Sequence, residues 1–425
     1  MEGDTHTLST EQLSLGLNAR GLTFHSLVVN SSSSSGGSRD VLVGFEDQES
    51  YRERLFFGST VGRYANRLPA GKTVLSTGSE ISLNGPNSVC LHGGDSGFDT
   101  LPWTPLPRSD SSLFPLSDPF HCPPPLPSDP HAPKQAAEQV FRLYSPAGND
   151  GFPCTLINEA LVSVEAPEEG KKKGELGKVK VVLRSKIVED GDKDIEKGTP
   201  VNLTVHWGFR LDDCQGQDIL NHSLYIDSTE LVSLDDKGLS TGSIDQIPQN
   251  GKEFDFSKSR KIGDSYPQGG IDRNYLLTPH ASSTPIASSP QLILTAPETS
   301  SGPRLELSFK TSLPSVQIYS APGLDGSGPS KKSAHQPKST QSSGDEKGEG
   351  YGKDGALFIE FQQPVGTVSH TCAQDAKEGN ELKEWLGERF EKMGMEEGER
   401  GWEKDTLVRK GQVWESWVEV EVREL

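Results

Sequence analysis

The chain has 425 residues, of which 32% are hydrophobic and 24% charged, and its formal net charge is −19. This acidity argues against nucleic acid or an anionic membrane as the main partner, because both select basic surfaces. No segment approaches the roughly 18 consecutive apolar residues of a membrane-spanning helix. Residues 1–6 have neither the basic nor the apolar stretch of a signal peptide. We therefore expect a cytoplasmic protein that acts on a neutral, polar small molecule.

Short β-rich runs recur along the whole chain. They cover residues 22–29, 160–164, 179–188, 201–209, 304–310, 313–319, 356–362 and 414–422. Regular alternation of strands with helices is missing, which disfavours a parallel α/β sheet and favours an antiparallel all-β sandwich. One segment, 380–395, carries apolar residues at helical spacing and predicts a short C-terminal helix packed on the sandwich.

Five polar segments interrupt these runs and are rich in Ser, Gly, Pro, Lys or Glu. They are residues 31–38, 104–134, 167–178, 278–290 and 325–355. Their apolar content is too low to offset the entropy of ordering them, so we expect partly disordered surface loops. The domain prediction is a single β-sandwich over residues 1–425 with these segments as flexible insertions.

Five cysteines are scattered along the chain without a Cys-x-x-Cys pair: Cys90, Cys122, Cys154, Cys214 and Cys372. This pattern favours free thiols in a reducing compartment. The histidines show no metal-ligand spacing, so we predict neither a metal site nor a cofactor.

The segment 201–209 is the most informative run. Alternation in a single strand would send five apolar side chains to one face and Asn202, Thr204 and His206 to the other. An imidazole among small polar groups is suited to proton transfer on a wet, sugar-sized ligand. Gln317 and Glu360 lie on two later strands of similar pattern, which makes general acid–base chemistry the first hypothesis.

Several further motifs follow one another at characteristic spacing. Residues 62–67 read Gly-Arg-Tyr-Ala-Asn-Arg, residues 91–94 read Leu-His-Gly-Gly, and residues 270–275 read Gly-Ile-Asp-Arg-Asn-Tyr. Together with the segments around His206, Gln317 and Glu360, they resemble the aldose 1-epimerases, also called galactose mutarotases. The resemblance extends from the first strand to the C-terminus.

The resemblance implies an all-β fold, a large antiparallel β-sandwich of the galactose mutarotase-like supersandwich type with a sugar cleft. It implies interconversion of the α and β anomers of a free aldohexose, typically glucose or galactose, without metal or cofactor. Glu360 matches the family's catalytic base and His206 its catalytic acid. The positions that hold sugar hydroxyls are matched by Asn66, Arg67, His92, Asp272 and Gln317.

Each residue also has a structural interpretation. His206 could be a satisfied core histidine, Arg67 part of a structural ion pair, and Asp272 a turn former. A carboxylate at Glu360 is costly among apolar neighbours unless it is paired or solvated. To act as an acid, His206 must hold a proton near pH 7, and we expect Asp272 to favour this.

Two other functions remain open. An epimerase of hexose 6-phosphates would need a phosphate clamp, for which Arg63, Arg67 and Arg273 are candidates. A catalytically silent sugar-binding protein would not need both His206 and Glu360. The expected partner is a small sugar, and we expect a monomer or weak homodimer.

Overall fold

The computed structural model describes most of the chain. The described residues are 5–31, 37–120, 136–167, 173–189, 195–212, 218–247, 251–279, 289–298, 304–336, 349–376, 379–392 and 402–425.

Within these residues the structure is built mainly from β-strands. In chain order they are β1 Thr5–Ser9, β2 Leu13–Asn18, β3 Thr23–Asn30, β4 Ser38–Asp40, β5 Thr60–Val61, β6 Arg67–Pro69, β7 Gly71–Val74, β8 Glu80–Leu83, β9 Val89–Leu91, β10 Thr104–Leu106, β11 Ala136–Ser145, β12 Leu156–Glu165, β13 Glu175–Ile187, β14 Thr199–Pro200, β15 Thr204–Val205, β16 Trp207–Phe209, β17 Ser223–Ile226, β18 Glu230–Leu234, β19 Ser240–Gln246, β20 Arg260–Lys261, β21 Asp272–Leu276, β22 Leu292–Thr295, β23 Leu305–Thr311, β24 Ser315–Tyr319, β25 Leu357–Gln362, β26 Leu407–Val408 and β27 Val413–Glu424. The α-helices are Ser50–Glu53, Thr367–Thr371, Glu381–Lys392 and Trp402–Asp405.

Three sheets make up the body of the fold. The largest has nine strands in the order β10-β11-β12-β13-β27-β23-β22-β17-β20, and the next has six in the order β16-β25-β24-β21-β18-β19. A third sheet has the order β1-β2-β3-β4. Neighbouring strands within these sheets pair antiparallel, as between β24 and β25 or β13 and β27. The predicted antiparallel β-sandwich is thereby confirmed.

The nine-stranded and six-stranded sheets face each other across one hydrophobic core. On β25, Leu357, Ile359 and Phe361 are buried in this core. The ring of Phe361 lies 5.8 Å from the ring of Phe309 on β23 of the opposite sheet. Because side chains alternate along a strand, Glu360 points to the other face of the six-stranded sheet.

The predicted C-terminal helix is present at Glu381–Lys392, and residues 393–395 lie outside the described ranges. Leu382 and Leu386 are buried in a cluster with Val232 and Leu276 of the six-stranded sheet. The helical spacing of its apolar residues therefore reflects packing against the sandwich, as expected.

The segment 104–134 differs from the expected loose loop over its described part, 104–120. Its first residues form β10, which pairs with β11, and Phe114 is fully buried. Phe114 packs in a cluster with Val182 and Trp417, so this segment covers the outer face of the large sheet. An exposed apolar sheet face is unfavourable in water, which is why a proline-rich segment is held there.

The other predicted insertions are only partly described. Residues 32–36, 121–134, 168–172, 280–288 and 337–348 lie outside the described ranges, as do Cys122 and Cys214. Cys90 and Cys372 are buried free thiols. Among the helices that the structure describes, none has the length and apolar character needed to cross a membrane.

Candidate active site

The segment 201–209 is interrupted at His206, which corrects the prediction of one continuous strand. Thr204 pairs with Val61 of β5, whereas Trp207 pairs with Ile359 of β25. Between them, the His206 N–H donates to the Ser59 carbonyl and the His206 carbonyl accepts from the Gly58 N–H, both at 2.9 Å. The segment therefore changes its pairing partner at His206, from β5 to β25.

The faces of this segment agree only in part with the prediction. The apolar residues of the run are buried in the main core: Val201, Leu203, Val205, Trp207 and Phe209. However, Asn202 and Thr204 are also buried, and His206 is only 9% exposed. The predicted wet face is therefore closed except around the imidazole.

The register of the six-stranded sheet brings the acid and base candidates together. Asn274 pairs with Gln317, and Gln317 pairs with Glu360. His206 directly precedes Trp207, the partner of Ile359, so it continues this row beside Glu360. Residues far apart in the chain thus form one polar row across neighbouring strands.

His206 and Glu360 contact each other directly. The His206 Nε2 atom lies 3.2 Å from Glu360 Oε1, and the two side chains are 11% and 3% exposed. Glu360 Oε2 and His206 Nδ1 are buried without a hydrogen-bond partner among the described residues. The aromatic rings of Phe358, at 4.9 Å, and His92, at 5.2 Å, flank the imidazole.

Burial dominates the electrostatics of this pair. It raises the pKa of Glu360 to about 8, with a further increase from Asp272 that Arg67 opposes. It lowers the pKa of His206 to about 4. Between these two values the pair holds one proton, because each charged form is poorly solvated.

The expectation that Asp272 supports a protonated His206 is therefore wrong. Asp272 raises the pKa of Glu360, whereas the low pKa of His206 is caused by burial. In the neutral pH range the raised pKa of Glu360 and the lowered pKa of His206 place the proton of the pair on Glu360.

His92 follows β9 and is hydrogen bonded to the backbone of Asn66. The backbone N–H of His92 donates to the Asn66 carbonyl at 3.0 Å, and the ring Nδ1 of His92 accepts the backbone N–H of Asn66 at 3.1 Å. Burial holds the pKa of His92 well below its ordinary value, so the ring is neutral. A neutral ring that accepts at Nδ1 carries its proton on Nε2.

The two glycines after His92 lie where a side chain would collide with neighbouring parts of the protein. A Cβ on Gly93 would lie 2.1 Å from the Gly62 carbonyl oxygen, and one on Gly94 would lie 2.8 Å from the Asp150 side chain. They make room for these neighbouring segments.

A hydrogen-bonded chain links the remaining predicted residues. Asn66 Nδ2 donates to Gln317 Oε1 at 3.1 Å, and Gln317 Nε2 donates to Asp272 Oδ1 at 2.5 Å. Arg67 donates from Nη2 to Asp272 Oδ2 at 3.2 Å. The ion pair considered for Arg67 is thus present, and its partner is another predicted site residue.

All seven predicted residues line one cavity of about 470 Å³: Asn66, Arg67, His92, His206, Asp272, Gln317 and Glu360. Its remaining lining residues are largely apolar or aromatic: Glu53, Arg54, Leu55, Phe56, Phe57, Leu91, Tyr319, Leu324 and Phe358. These apolar and aromatic lining residues were not predicted from the sequence. The strand period could have identified Phe358 and Tyr319, which lie two residues from Glu360 and Gln317 on the same faces.

A second cavity of about 470 Å³ lies elsewhere, against β10 and β11. Its lining includes Arg142 and Tyr144 but no histidine and no carboxylate. It therefore lacks groups for acid–base chemistry near neutral pH, and the cavity around Glu360 is the candidate active site.

His92, His206 and Glu360 have donor atoms within 4.8 Å of one another. Two histidines and a carboxylate are a ligand set of catalytic zinc sites. However, His92 Nδ1 already accepts the Asn66 N–H and its Nε2 carries the proton, so neither nitrogen offers a lone pair. This arrangement makes His92 a poor metal ligand.

Comparison with known proteins shows the family to which this chain is similar. A sequence profile of the family described as aldose 1-epimerase matches residues 131–354, more than half of the chain. The matched range contains His206, Asp272 and Gln317, and the other predicted site residues lie outside it.

Curated relatives extend the similarity further. The galactose mutarotase of Bos taurus is 29% identical over 338 residues, covering 78% of this chain and 81% of the relative. The aldose 1-epimerase of Escherichia coli K12 is 26% identical over 302 residues, covering 69% of this chain and 71% of the relative.

Solved structures share the fold. A GalM/aldose epimerase homologue from C. elegans superposes with a TM-score of 0.67 at 18% identity, covering 100% of this chain and 99% of that one. Galactose 1-epimerase from Lactobacillus acidophilus gives a TM-score of 0.63 at 18% identity, covering 98% and 93%. Taken with the profile match, these findings show that the chain belongs to the aldose 1-epimerase family of carbohydrate isomerases.

Proposed function

We propose that this protein is a mutarotase that interconverts the α and β anomers of free aldohexoses such as galactose or glucose. One observation carries the proposal: His206 Nε2 and Glu360 Oε1 lie 3.2 Å apart at a cavity of about 470 Å³. The names of the relatives, galactose mutarotase and aldose 1-epimerase, support the substrate class.

The proton count of the pair fits the reaction. Ring opening removes a proton from the anomeric hydroxyl and delivers one to the ring oxygen. With Glu360 as base and His206 as acid, opening begins from carboxylate and imidazolium and ends with both side chains neutral. Closure on the other face of the aldehyde reverses both transfers, so the pair keeps one proton throughout.

Burial favours the neutral form of the pair, which is the form that accompanies the open-chain sugar in this scheme. The pKa of Glu360, raised to about 8, and that of His206, lowered to about 4, keep one proton on the pair over the neutral range. Each proton transfer contributes about 10²–10⁴-fold to the rate. Positioning both groups against one sugar adds an orientation effect.

The other predicted residues are proposed to hold sugar hydroxyls. His92 has a donor at Nε2, and the chain from Asn66 through Gln317 to Asp272 and Arg67 offers both donors and acceptors. Groups that are already hydrogen bonded to one another are pre-organised and lose little entropy on binding.

A phosphorylated sugar is supported less well. Arg63 is buried and donates to the carbonyls of Pro153 and Cys154. Arg67 is paired with Asp272, and Arg273 donates to the carbonyl of Asp272. The three arginines considered for a phosphate clamp therefore do not converge on one anion site.

Polarimetry tests the proposal. Freshly dissolved α-galactose or α-glucose is mixed with purified protein, and optical rotation is followed against buffer. We expect faster equilibration with at least one free sugar. Acceleration only with a hexose 6-phosphate would favour that substrate class, and none with any sugar would leave the silent binding protein as the better explanation.

A further inference from the structure

Residues 53–57 form part of the cavity wall, and Phe56 stands out among them. Its backbone has φ +73°, a left-handed conformation that bulky L-residues rarely adopt. Its ring centroid lies 4.7 Å from that of His92 and 6.0 Å from that of His206. Unfavourable backbone conformations persist where the surroundings hold them, often at ligand-binding sites.

The chain after Phe56 is bonded to the segment of the candidate acid. The Ser59 N–H donates to the Phe56 carbonyl at 3.3 Å, and the Ser59 carbonyl accepts the His206 N–H at 2.9 Å. The Gly58 N–H donates to the His206 carbonyl at 2.9 Å. Phe56 and His206 therefore belong to one hydrogen-bonded unit.

The described ends of the 325–355 segment support the same wall. Arg54 donates from Nη2 to the Ser327 carbonyl at 3.4 Å and lies 3.8 Å from the Asp325 carboxylate. The Phe57 ring lies 6.0 Å from that of Tyr351, within a small aromatic cluster. These contacts hold the chain on both sides of Phe56 in sequence.

Building on the proposed function, we propose that Phe56 is a positioning residue: its ring packs against the apolar face of the bound sugar and shields the His206–Glu360 pair from water. In this proposal the polar lining residues of the cavity bind hydroxyls, and its aromatic lining residues suit the C–H groups of a pyranose. Because the Phe56 ring lies against both histidines, it can pack against the sugar and also shield the His206–Glu360 pair from water.

The groups that face His206 from each neighbouring element are Glu360 on β25, His92 after β9, and the uncharged rings of Phe56 and Phe358. Removing the Phe56 ring leaves the titratable groups of Glu360 and His92 in place. The substitution therefore acts on His206 by exposing the imidazole to water.

The test uses Phe56→Ala, Phe56→Tyr and a matched control, Tyr144→Ala. Tyr144 is a 55% exposed aromatic residue on the other cavity. The first readout is the titration of the His206 imidazole by NMR, assigned with His206→Asn, which does not depend on turnover. The second is KM for the free sugar.

We expect Phe56→Ala to move the His206 titration upward toward its ordinary value and to raise KM by roughly tenfold, the effect of losing one apolar contact. Phe56→Tyr keeps the ring and should match the parent protein, as should Tyr144→Ala. If the parent protein accelerates mutarotation and Phe56→Ala matches it in both readouts, the role of Phe56 is wrong. If the parent protein is inactive, a shifted His206 titration still supports the shielding role, and an unshifted one overturns it.

Discussion

The backbone N–H of Asn66 donates a 3.1 Å hydrogen bond to Nδ1 of His92 and thereby sets the tautomer of that ring. The Nε2–H that remains is a fixed donor in the cavity, and the Asn66 side chain simultaneously donates to Gln317. One residue of the Gly-Arg-Tyr-Ala-Asn-Arg motif thus orients two of the proposed sugar-binding groups.

This tautomer leads to a prediction for two substitutions at His92. The amide nitrogen of a glutamine can take the place of Nε2, whereas that of an asparagine falls near Nδ1. We expect His92→Gln to keep more activity than His92→Asn, by about tenfold in kcat/KM, the value of one hydrogen bond. Equal activities, or the reverse order, would contradict the proposed donor.

The base is tested by Glu360→Gln. The substitution keeps the shape of the side chain and a hydrogen-bonding group but cannot accept the proton. We expect kcat to fall by at least about 10²-fold, while sugar affinity, measured by calorimetry, stays close to that of the parent protein. The matched control is Glu419→Gln, a buried carboxylate on β27 of the other sheet, which should leave kcat unchanged.

His206→Asn removes the acid and leaves a polar side chain of smaller size. Turnover should fall by a similar factor, and the dependence of the residual rate on pH should flatten because a titrating group is gone. Parental turnover in this variant would show that His206 is a structural histidine.

The raised pKa of Glu360 also predicts how stability depends on pH. Between its ordinary value of 4.5 and about 8, the folded protein holds a proton that the unfolded chain releases. Stability from this group is therefore lost as pH rises through that window. His206, whose pKa is lowered to about 4, acts in the opposite direction only below 6.5.

The unfolding free energies of the parent protein and of Glu360→Gln are therefore compared at pH 6.5 and at pH 8. The parent protein should lose about 2 kcal/mol more unfolding free energy than Glu360→Gln across that interval, at about 1.4 kcal/mol per pH unit. Urea unfolding at the two pH values measures this difference. Parallel losses in the two proteins would mean that Glu360 is ionised in the folded state.

Local patterns were sufficient to predict the sheet and to single out His206, Gln317 and Glu360, whereas the other four residues of the candidate site were implied by the resemblance to the aldose 1-epimerases. The alternation around Glu360 places Ile359 and Phe361 in the core and therefore turns the carboxyl away from it. The structure places all seven residues on one cavity, and their individual roles remain predictions.

Other features depend on contacts between distant residues and could not be predicted locally. The interruption at His206 arises because Thr204 pairs with β5 and Trp207 with β25. The low pKa of His206 comes from burial among side chains of several segments, and the position of Phe56 depends on a left-handed backbone that its residue type disfavours.

The central claim is that Glu360 and His206 share one proton and transfer it to and from a free sugar. The most direct test is kcat/KM for mutarotation of α-galactose, measured by polarimetry from pH 3.5 to 9. We predict a bell-shaped profile. The rate declines below about pH 4, where protonation of His206 gives the pair two protons, and above about pH 8, where ionisation of Glu360 leaves the pair with none. A rate no faster than buffer across this range would contradict the account.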